Sequence, residues 1–317
     1  MRRFLVTLML GLAFIPLLRA DVHALPGLER KLGIAGYEWL KVGQSARVTG
    51  MGEAGTALVE GVDGAFVNPA GMAAIKRFEY VFNYTTWLVD TKFYTVAAGF
   101  KVKNTAWGMS VLTFNPPTSK ETTILQPKGT GNMVEASGVA VGVIFAYQIT
   151  DKLAFGAQIR YLQEKLYTDK NKTMDVNIGT KFNTGFRGMR LAMNLKNLGK
   201  DFRYGQTLST NFMPMVFNVG VAMEVVGKRG DIAYLTVTGE NSYHVDYQNR
   251  AQFGAELWLY NALALRGGYK WNYTDRFSAG VGLKHRFGGK DLRVDFSYSD
   301  YGGLLNAPMR FSLSGSF

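Results

Sequence analysis

The chain has 317 residues and no cysteine, and its 36 Lys and Arg against 24 Asp and Glu give a formal charge of +12. The missing thiols exclude disulfide bonds, cysteine nucleophiles and cysteine-ligated metals. A mean hydropathy of −0.03 argues against a bundle of membrane-spanning helices, whereas 13% aromatic residues and 37 glycines are typical of strands that alternate between two environments.

Residues 1–24 have the pattern of a Sec-type export signal. Arg2 and Arg3 precede an apolar run over residues 4–18, and small residues follow. We expect cleavage after Ala20 or Ala24; the alternative, a retained anchor, is disfavoured because the run is too short for a spanning helix. In an exported chain the basic balance indicates a charged lumen or anionic lipid headgroups, and no nucleic-acid partner.

Residues 25–77 include Gly50-Met51-Gly52-Glu53-Ala54-Gly55, which fits the dinucleotide-binding pattern G-x-G-x-x-G. That pattern binds a pyrophosphate only between a buried strand and a helix N-terminus within a βαβ unit. Residues 42–49 are not an apolar strand, and no βαβ alternation follows. We therefore expect no cofactor, and the glycines need another explanation.

From residue 78 onward, segments of alternating apolar and polar residues recur, and each predicts a strand with one face of each kind. In residues 277–287, for example, the odd positions are mostly apolar and the even positions are small or cationic. Fourteen strands are predicted, at residues 79–88, 91–102, 105–114, 136–149, 153–162, 173–184, 189–198, 215–225, 231–239, 249–260, 263–273, 276–287, 291–299 and 309–317.

The connections between these strands alternate in length. Those after even-numbered strands are short, as at Lys103-Asn104, whereas several after odd-numbered strands are long, as at residues 115–135, 163–172 and 199–214. Outer-membrane barrels have an even strand number, short turns on one rim and long loops on the other. A soluble β-sandwich, the alternative, has no reason to sort its loops in this way. The predicted fold class is all-β: a transmembrane antiparallel β-barrel of about 14 strands over residues 78–317, in the bacterial outer membrane.

Charges within the clearest strands share the polar face, which in a membrane barrel is the lumen, because a charge that faces lipid near the midplane costs about 2–4 kcal/mol. The predicted lumen-facing charges are Arg160, Lys181, Lys196, Glu256, Arg266, Lys270, Lys284, Arg286 and Arg293. The last strand alternates and ends on an aromatic residue, which is typical of the C-terminal signal read by the barrel assembly machinery. The residues of that signal are Phe311, Leu313 and Phe317.

The sequence has no convergent set of catalytic or metal-ligating residues. His244-Val245-Asp246 falls in a predicted outer loop, where we expect solvated side chains. His285 falls on an apolar face near a strand end, which favours an interfacial histidine. Arg229-Gly230-Asp231 spells an adhesion tripeptide but occupies a predicted periplasmic turn. We expect a protein that is not an enzyme and holds no metal.

The segment before the barrel resembles a known family. Ala46-Arg47, residues 50–54, residues 63–65 and residues 68–72 follow one another in close order. Together they resemble the N-terminal signature of the PorV/PorQ family, within the superfamily of FadL-type barrels. The resemblance implies an outer-membrane barrel in which residues 25–77 pack inside the lumen as a hatch. The motif residues are Arg47, Gly50, Met51, Gly52, Glu53, Asp63, Asn68, Pro69 and Gly71.

Physical arguments give this segment specific contacts. Its small residues can pass close to wall glycines such as Gly280 and Gly282. Asn68 followed by Pro69 predicts an N-cap and a short helix over residues 69–74. The charged side chains Arg47, Glu53 and Asp63 would pair with wall charges or, alternatively, remain solvated in the periplasm.

Two functions follow from the resemblance. The PorV side implies a component of a type IX-like secretion system that binds exported cargo or the translocon through residues 115–135 and 199–214. The FadL side, the alternative, implies a passive channel for small hydrophobic molecules, with a pocket lined by Met51, Leu58, Phe66 and Met72; a fully polar, plugged lumen would count against it. The expected partners are outer-membrane lipid, the barrel assembly machinery, and either secretion proteins and cargo or small hydrophobic ligands.

Overall fold

A computed structural model describes residues 35–204, 210–303 and 305–317; the predicted export signal lies outside them. Fourteen strands close into one antiparallel barrel, which confirms the predicted fold class. The barrel strands are β1 Phe78–Thr86, β2 Lys92–Val102, β3 Thr105–Asn115, β6 Ala136–Gln148, β7 Leu153–Leu166, β8 Asp169–Asn183, β9 Arg190–Gly199, β10 Val216–Val226, β11 Ala233–His244, β12 Arg250–Leu259, β13 Leu263–Trp271, β14 Phe277–Phe287, β15 Lys290–Asp300 and β16 Met309–Ser316. None of the helices in these residues is long and apolar enough to cross a membrane.

Strands adjacent in the barrel are nearly always adjacent in the chain. The exceptions are β3 and β6, which pair directly, and β1 and β16, whose pairing closes the barrel. Between β3 and β6 the chain forms a separate two-stranded ribbon from β4 Ser119–Lys120 and β5 Met133–Val134. The predicted outer loop 115–135 therefore contains ordered secondary structure of its own.

Two predicted loops are partly strand. Strands β7 and β8 continue past their predicted ends and leave only residues 167 and 168 between them, so residues 163–172 are a hairpin rather than a long loop. Strand β11 likewise runs to His244 instead of ending near residue 239. The residues in both extensions are mostly polar, and the strands stay paired there although the alternation of apolar and polar residues has ended. Backbone hydrogen bonds, which do not depend on side-chain polarity, extend the strands there.

The barrel has an inverted distribution of polarity. Large apolar side chains such as Met109 and Leu283, both 60% exposed, point outward. Charged side chains such as Arg266, Glu256 and Asp295 are buried at 6%, 1% and 0% exposure. A water-soluble protein arranges its side chains in the opposite way. The alternation along each strand therefore places an apolar face outside and a polar face inside.

Residues 35–77 lie inside the barrel. They form one α-helix, α1 Ala46–Thr49, and 3-10 helices at Glu38–Lys41, Gly61–Ala65 and Pro69–Ala74. Helix α1 contacts β14, β15 and β16, whereas Pro69–Ala74 contacts β6, β7 and β8 on the other side of the barrel. We call residues 35–77 the internal segment.

Glycines in the wall make room for the internal segment. A Cβ atom at Gly268 would lie 1.9 Å from the Gly52 nitrogen, and one at Gly156 would lie 2.2 Å from the Ala70 nitrogen. Gly50 packs against Gly280 as expected, with 3.2 Å between the Gly50 Cα and a Cβ built at Gly280. Gly52 itself has φ +65°, a conformation that favours glycine. The glycine pattern of residues 50–55 is therefore explained by close backbone packing.

The expectation for Gly282 is wrong. The space beside Gly282 is occupied by the side chains of Arg266 and Asp295, which would lie 2.7 Å and 2.4 Å from an added Cβ. Gly282 makes room for a wall ion pair and not for the internal segment.

Adjacent glycines on β13 provide a matched test of this packing. We expect Gly268→Ala to lower the free energy of unfolding by about 1–3 kcal/mol, because the new methyl group overlaps the backbone of residues 51 and 52. Gly267→Ala should change it by less than about 0.5 kcal/mol, because nothing lies within 4 Å of that position. Urea unfolding in detergent micelles measures both. Equal effects of the two substitutions would show that the internal segment does not pack on this strand.

Candidate functional site

The Asn68-Pro69 motif fixes one end of the internal segment to the wall. The Asn68 side chain accepts a hydrogen bond from the Ala70 nitrogen at 3.1 Å and so caps the helix Pro69–Ala74. Its amide nitrogen donates to the carbonyl oxygens of Thr56 at 3.1 Å and of Thr180 at 3.2 Å. Gly179 permits this approach, because a Cβ there would lie 2.0 Å from the Asn68 side-chain oxygen. The cap therefore also anchors the segment on β8.

Gly71 has a comparable role within the segment. A Cβ at Gly71 would lie 2.9 Å from the Val59 carbonyl oxygen, so a larger residue would separate the helix Pro69–Ala74 from the preceding turn.

The three acidic and basic motif residues all pair with charges on the wall. Arg47 donates to both carboxylate oxygens of Glu256, at 2.9 Å and 2.7 Å. Asp63 forms an ion pair with Arg293, and Glu53 forms one with Lys270 at 3.3 Å. The structure thus places these side chains in ion pairs and not in periplasmic solvent.

The wall charges link two of these pairs into one network. Arg266 contacts Glu256 and Asp295, each at 2.8 Å. Asp295 in turn accepts a hydrogen bond from Arg293 at 2.7 Å. Charges of alternating sign therefore run from Arg47, through four wall side chains, to Asp63. We call this set of six side chains the charge chain.

The remaining predicted lumen charges fall into two groups. Arg160 pairs with Asp175, Lys181 pairs with Glu60 of the internal segment, and Lys196 donates to the Phe66 carbonyl oxygen at 3.3 Å. Lys284 pairs with Asp291 at 2.9 Å at the short-turn rim. Arg286 shares the strand face and the partner Asp291 of Lys284, at 3.7 Å, but it lies at the end of β14 with its side chain 75% exposed.

Several interior residues were not predicted. Glu240 accepts hydrogen bonds from the Thr56 nitrogen at 2.7 Å and from the Thr56 hydroxyl at 2.9 Å, although the alternation pattern ends the strand one residue before it. Asp295 shares the strand face of Arg293, and this spacing of two is a signal that could have identified it. Glu60, in the internal segment, pairs with Lys181 of the wall. Arg310, in the wall, donates a hydrogen bond to the Gly43 carbonyl oxygen of the internal segment.

His244 and Asp246 are not solvated loop residues, which corrects the prediction. His244 ends β11 and lines an interior cavity of about 80 Å³ together with Lys196, Glu240 and Tyr273. Asp246 is 7% exposed and contacts Lys41 of the internal segment at 2.6 Å. His285, by contrast, is exposed on β14, as the apolar-face position predicted.

A larger cavity of about 230 Å³ lies at the short-turn end of the barrel. Its charged lining is mixed: Arg47, Arg229, Lys284 and Arg293 with Glu60, Asp63, Glu79 and Asp291. The four residues expected to line an apolar pocket do not form one: Met51 and Leu58 pack in one apolar cluster, Met72 packs in another, and Phe66 packs beside Met72 and lines the 80 Å³ cavity. These side chains fill space between segment and wall, and the two cavities are polar.

Aromatic rings are concentrated at the long-loop end. Trp39 stacks on Phe114 with ring centroids 5.8 Å apart, and Phe93 lies 5.4 Å from the same ring. Tyr37 packs edge-on against Phe202 at 5.0 Å. The buried members, which we call the rim cluster, are Tyr37, Trp39, Leu40, Phe93, Leu112, Ala140, Leu162 and Met213. The internal segment therefore contributes an apolar group to the outer end of the lumen.

Comparisons with known proteins define the class of fold. A model of the uncharacterised protein family UPF0164 matches residues 28–173, and no curated protein sequence matches the chain. The toluene transporter TodX of Pseudomonas putida is 12% identical, with a TM-score of 0.62 over 91% of this chain and 99% of TodX. The toluene transporter TbuX of Ralstonia pickettii is 12% identical, with a TM-score of 0.59 over 86% of this chain and 97% of TbuX.

A FadL homologue of Pseudomonas aeruginosa is 11% identical, with a TM-score of 0.52 over 87% of this chain and 98% of that protein. The chain therefore has the fold of the FadL-type barrels. The finer resemblance to the PorV/PorQ family stays a prediction.

The charge chain generates a stability prediction. Glu256→Gln should lower the free energy of unfolding by about 3–5 kcal/mol, because it leaves two buried guanidinium groups short of a carboxylate. The control, Glu135→Gln, breaks an exposed ion pair with Lys165 and should cost less than about 1 kcal/mol. Urea unfolding followed by tryptophan fluorescence measures both. A cost for Glu256→Gln as small as the control's would show that the interior is wet enough to screen the charge chain.

Glu60 generates a pH prediction. Burial alone would raise the pKa of its carboxyl, but Lys181 and Arg229 outweigh burial and lower the pKa from 4.5 to about 2. The stability that Glu60 contributes is therefore present above about pH 4.5 and is lost as the pH falls towards 2. We expect the stability difference between wild type and Glu60→Gln to shrink over that interval. A difference that stays constant from pH 7 to pH 2.5 would contradict the proposed pairing.

Proposed function

We propose that the protein is an outer-membrane channel that passes small hydrophobic molecules about the size of one aromatic ring. The observation that carries this proposal is the likeness to TodX and TbuX, both described as toluene transporters, across nearly their whole length. A barrel described as the monoaromatic hydrocarbon channel CymD is similar as well, with 13% identity and a TM-score of 0.57 over 87% of this chain and 98% of CymD.

The outward face supports the membrane location. Large apolar side chains are exposed on strands all around the barrel, for example Trp107 on β3, Ile159 on β7 and Leu265 on β13. A continuous apolar surface of this kind is stable in lipid and would drive aggregation in water. Closure also leaves none of the fourteen barrel strands with an unpaired edge, as a lipid environment requires.

The rim cluster supports the choice of solute. The rings of Trp39 and Phe93, which are 5% and 1% exposed, pack around Phe114 at the long-loop end, so an apolar molecule would reach them only when this packing opens. Removing such a molecule from water is favoured by about 25 cal/mol per Å² of apolar surface buried. Ring-on-ring contacts add a preference for aromatic solutes over aliphatic ones of the same area.

The polar interior below the rim cluster limits how the solute can proceed. The two cavities are lined by charged and polar groups, and the internal segment fills the space between them. The solute therefore cannot cross the barrel through a fixed apolar passage. We infer that the internal segment acts as a hatch and is displaced during passage.

The type IX-like secretion role remains the weaker hypothesis. Its proposed contact regions, residues 115–135 and 199–214, lie at the long-loop rim, but their described residues form hydrogen bonds and rim contacts that any barrel loop could make. The likeness to hydrocarbon transporters favours the channel instead.

A disulfide lock tests the channel and the hatch together. The hydroxyl oxygens of Thr49 on α1 and Ser297 on β15 are 2.7 Å apart, and the chain has no other cysteine. In vesicles that contain Thr49→Cys/Ser297→Cys protein, we expect oxidation to reduce the rate of toluene uptake to that of protein-free vesicles and a reductant to restore it.

The two single-cysteine variants should transport toluene under both conditions. Undiminished uptake by the oxidised double variant would show that passage needs no displacement of α1. Uptake by vesicles with inserted wild-type protein that is no faster than by protein-free vesicles would refute the channel itself.

A further inference from the structure

The short turns of the barrel repeat one feature. Five of them carry an exposed cation, although none is more than six residues long between its strands. These cations are Lys103, Lys152, Arg187 and Lys228, which lie within turns, and Lys290, the first residue of β15. Arg229, next to Lys228, is left out because it pairs with Glu60 and Glu224. We call them the turn cations.

Each turn cation has a large exposed apolar side chain within four residues of it in the chain. Phe186, next to Arg187, is 62% exposed, and Phe287, three residues before Lys290, is 79% exposed. Val102 and Ile149 accompany Lys103 and Lys152 in the same way, and Ile232 follows Lys228. Because the turns are short, the ammonium or guanidinium group cannot move far from the apolar surface.

The turn cations lack partners of opposite charge. Within the part of the chain that the structure describes, none of them forms an ion pair. Lys290 instead lies over the ring of Phe317, with its nitrogen 4.6 Å from the ring centre. The turns carry two exposed acidic residues, Asp151 and Asp231, and Asp231 accepts a hydrogen bond from the Lys228 backbone nitrogen at 2.8 Å. The excess of positive charge is therefore not neutralised by the protein.

We propose that the turn cations form a ring that binds the phosphate headgroups of anionic phospholipids in the leaflet on the short-turn side. The apolar neighbours would lie among the acyl chains, and the flexible basic side chains would extend to the headgroup plane. Several basic groups at one membrane surface attract anionic lipid additively. This proposal rests on the membrane location given in the proposed function.

The experiment measures lipid preference directly. Wild-type protein is reconstituted into phosphatidylcholine vesicles that contain a trace of spin-labelled phosphatidylglycerol or phosphatidylcholine. The fraction of motionally restricted label gives the relative association of the two lipids with the barrel. We expect phosphatidylglycerol to be preferred several-fold, and the preference to disappear in 1 M NaCl, because salt at that concentration screens charges beyond about 3 Å.

A matched pair of variants shows whether the lipid preference depends on the position of the cations or only on the net charge of the protein. The first replaces all five turn cations with Gln and should lose the preference. The second replaces five exposed lysines on the long-loop side with Gln and should keep it; these are Lys92, Lys120, Lys128, Lys170 and Lys200. Equal loss in both variants would show a general charge effect and overturn the ring. No preference in wild type would overturn it as well, and that measurement requires no variant to fold.

Toluene uptake measured in vesicles of phosphatidylcholine alone distinguishes failure of the headgroup ring from failure of the proposed channel. A barrel that transports toluene and shows no preference for phosphatidylglycerol overturns the headgroup ring only. A barrel that prefers phosphatidylglycerol and transports nothing overturns the channel only. Failure of the wild type to insert into any vesicle overturns the membrane location on which both depend.

Discussion

The alternating ion pairs between Arg47 and Asp63 are the interaction on which the interior of this barrel depends. The closed wall directs its polar face inward, so charges there have little water and need partners. Within the wall, Glu256, Arg266 and Asp295 pair among themselves, but the sequence of charges is completed only when the internal segment adds one group at each end. The segment is therefore a structural component of the lumen as well as an obstruction in it.

Close packing gives this electrostatic arrangement its register. Gly156, Gly268 and Gly280 of three wall strands approach the backbone of the internal segment closely. They allow only one placement of the segment, because a shift by one residue would bring wall side chains into the space that these glycines leave open. Ion pairs alone are tolerant of such shifts, since long basic side chains can adjust. The glycines therefore specify position and the charges supply attraction, which explains why both residue types occur together in residues 47–63.

The sequence predicted the barrel well because the period of two depends only on local alternation, and closure follows from the need to pair every barrel edge in lipid. Strand ends were predicted less well where polar residues continue a strand, as at Glu164 and Glu240. Which charges meet could not be predicted: Arg47 and Glu256 are 209 residues apart, and their pairing depends on where the glycine contacts place α1. For the same reason Gly268, and not Gly282, faces the internal segment.

Solvent exposure differs along the charge chain. Glu256 and Arg266 are dry, with side chains 1% and 0% exposed, whereas Arg47 and Arg293 are 12% and 18% exposed. Both of these arginines, and Asp63, line the 230 Å³ cavity at the short-turn end. If the internal segment moves as proposed, the arginines of the two pairs that separate are already partly exposed, whereas their partners Glu256 and Asp63 are 1% and 3% exposed. Hydration offsets part of the lost pairing, while the dry pairs, which lie wholly within the wall, stay intact and preserve the site for the segment's return.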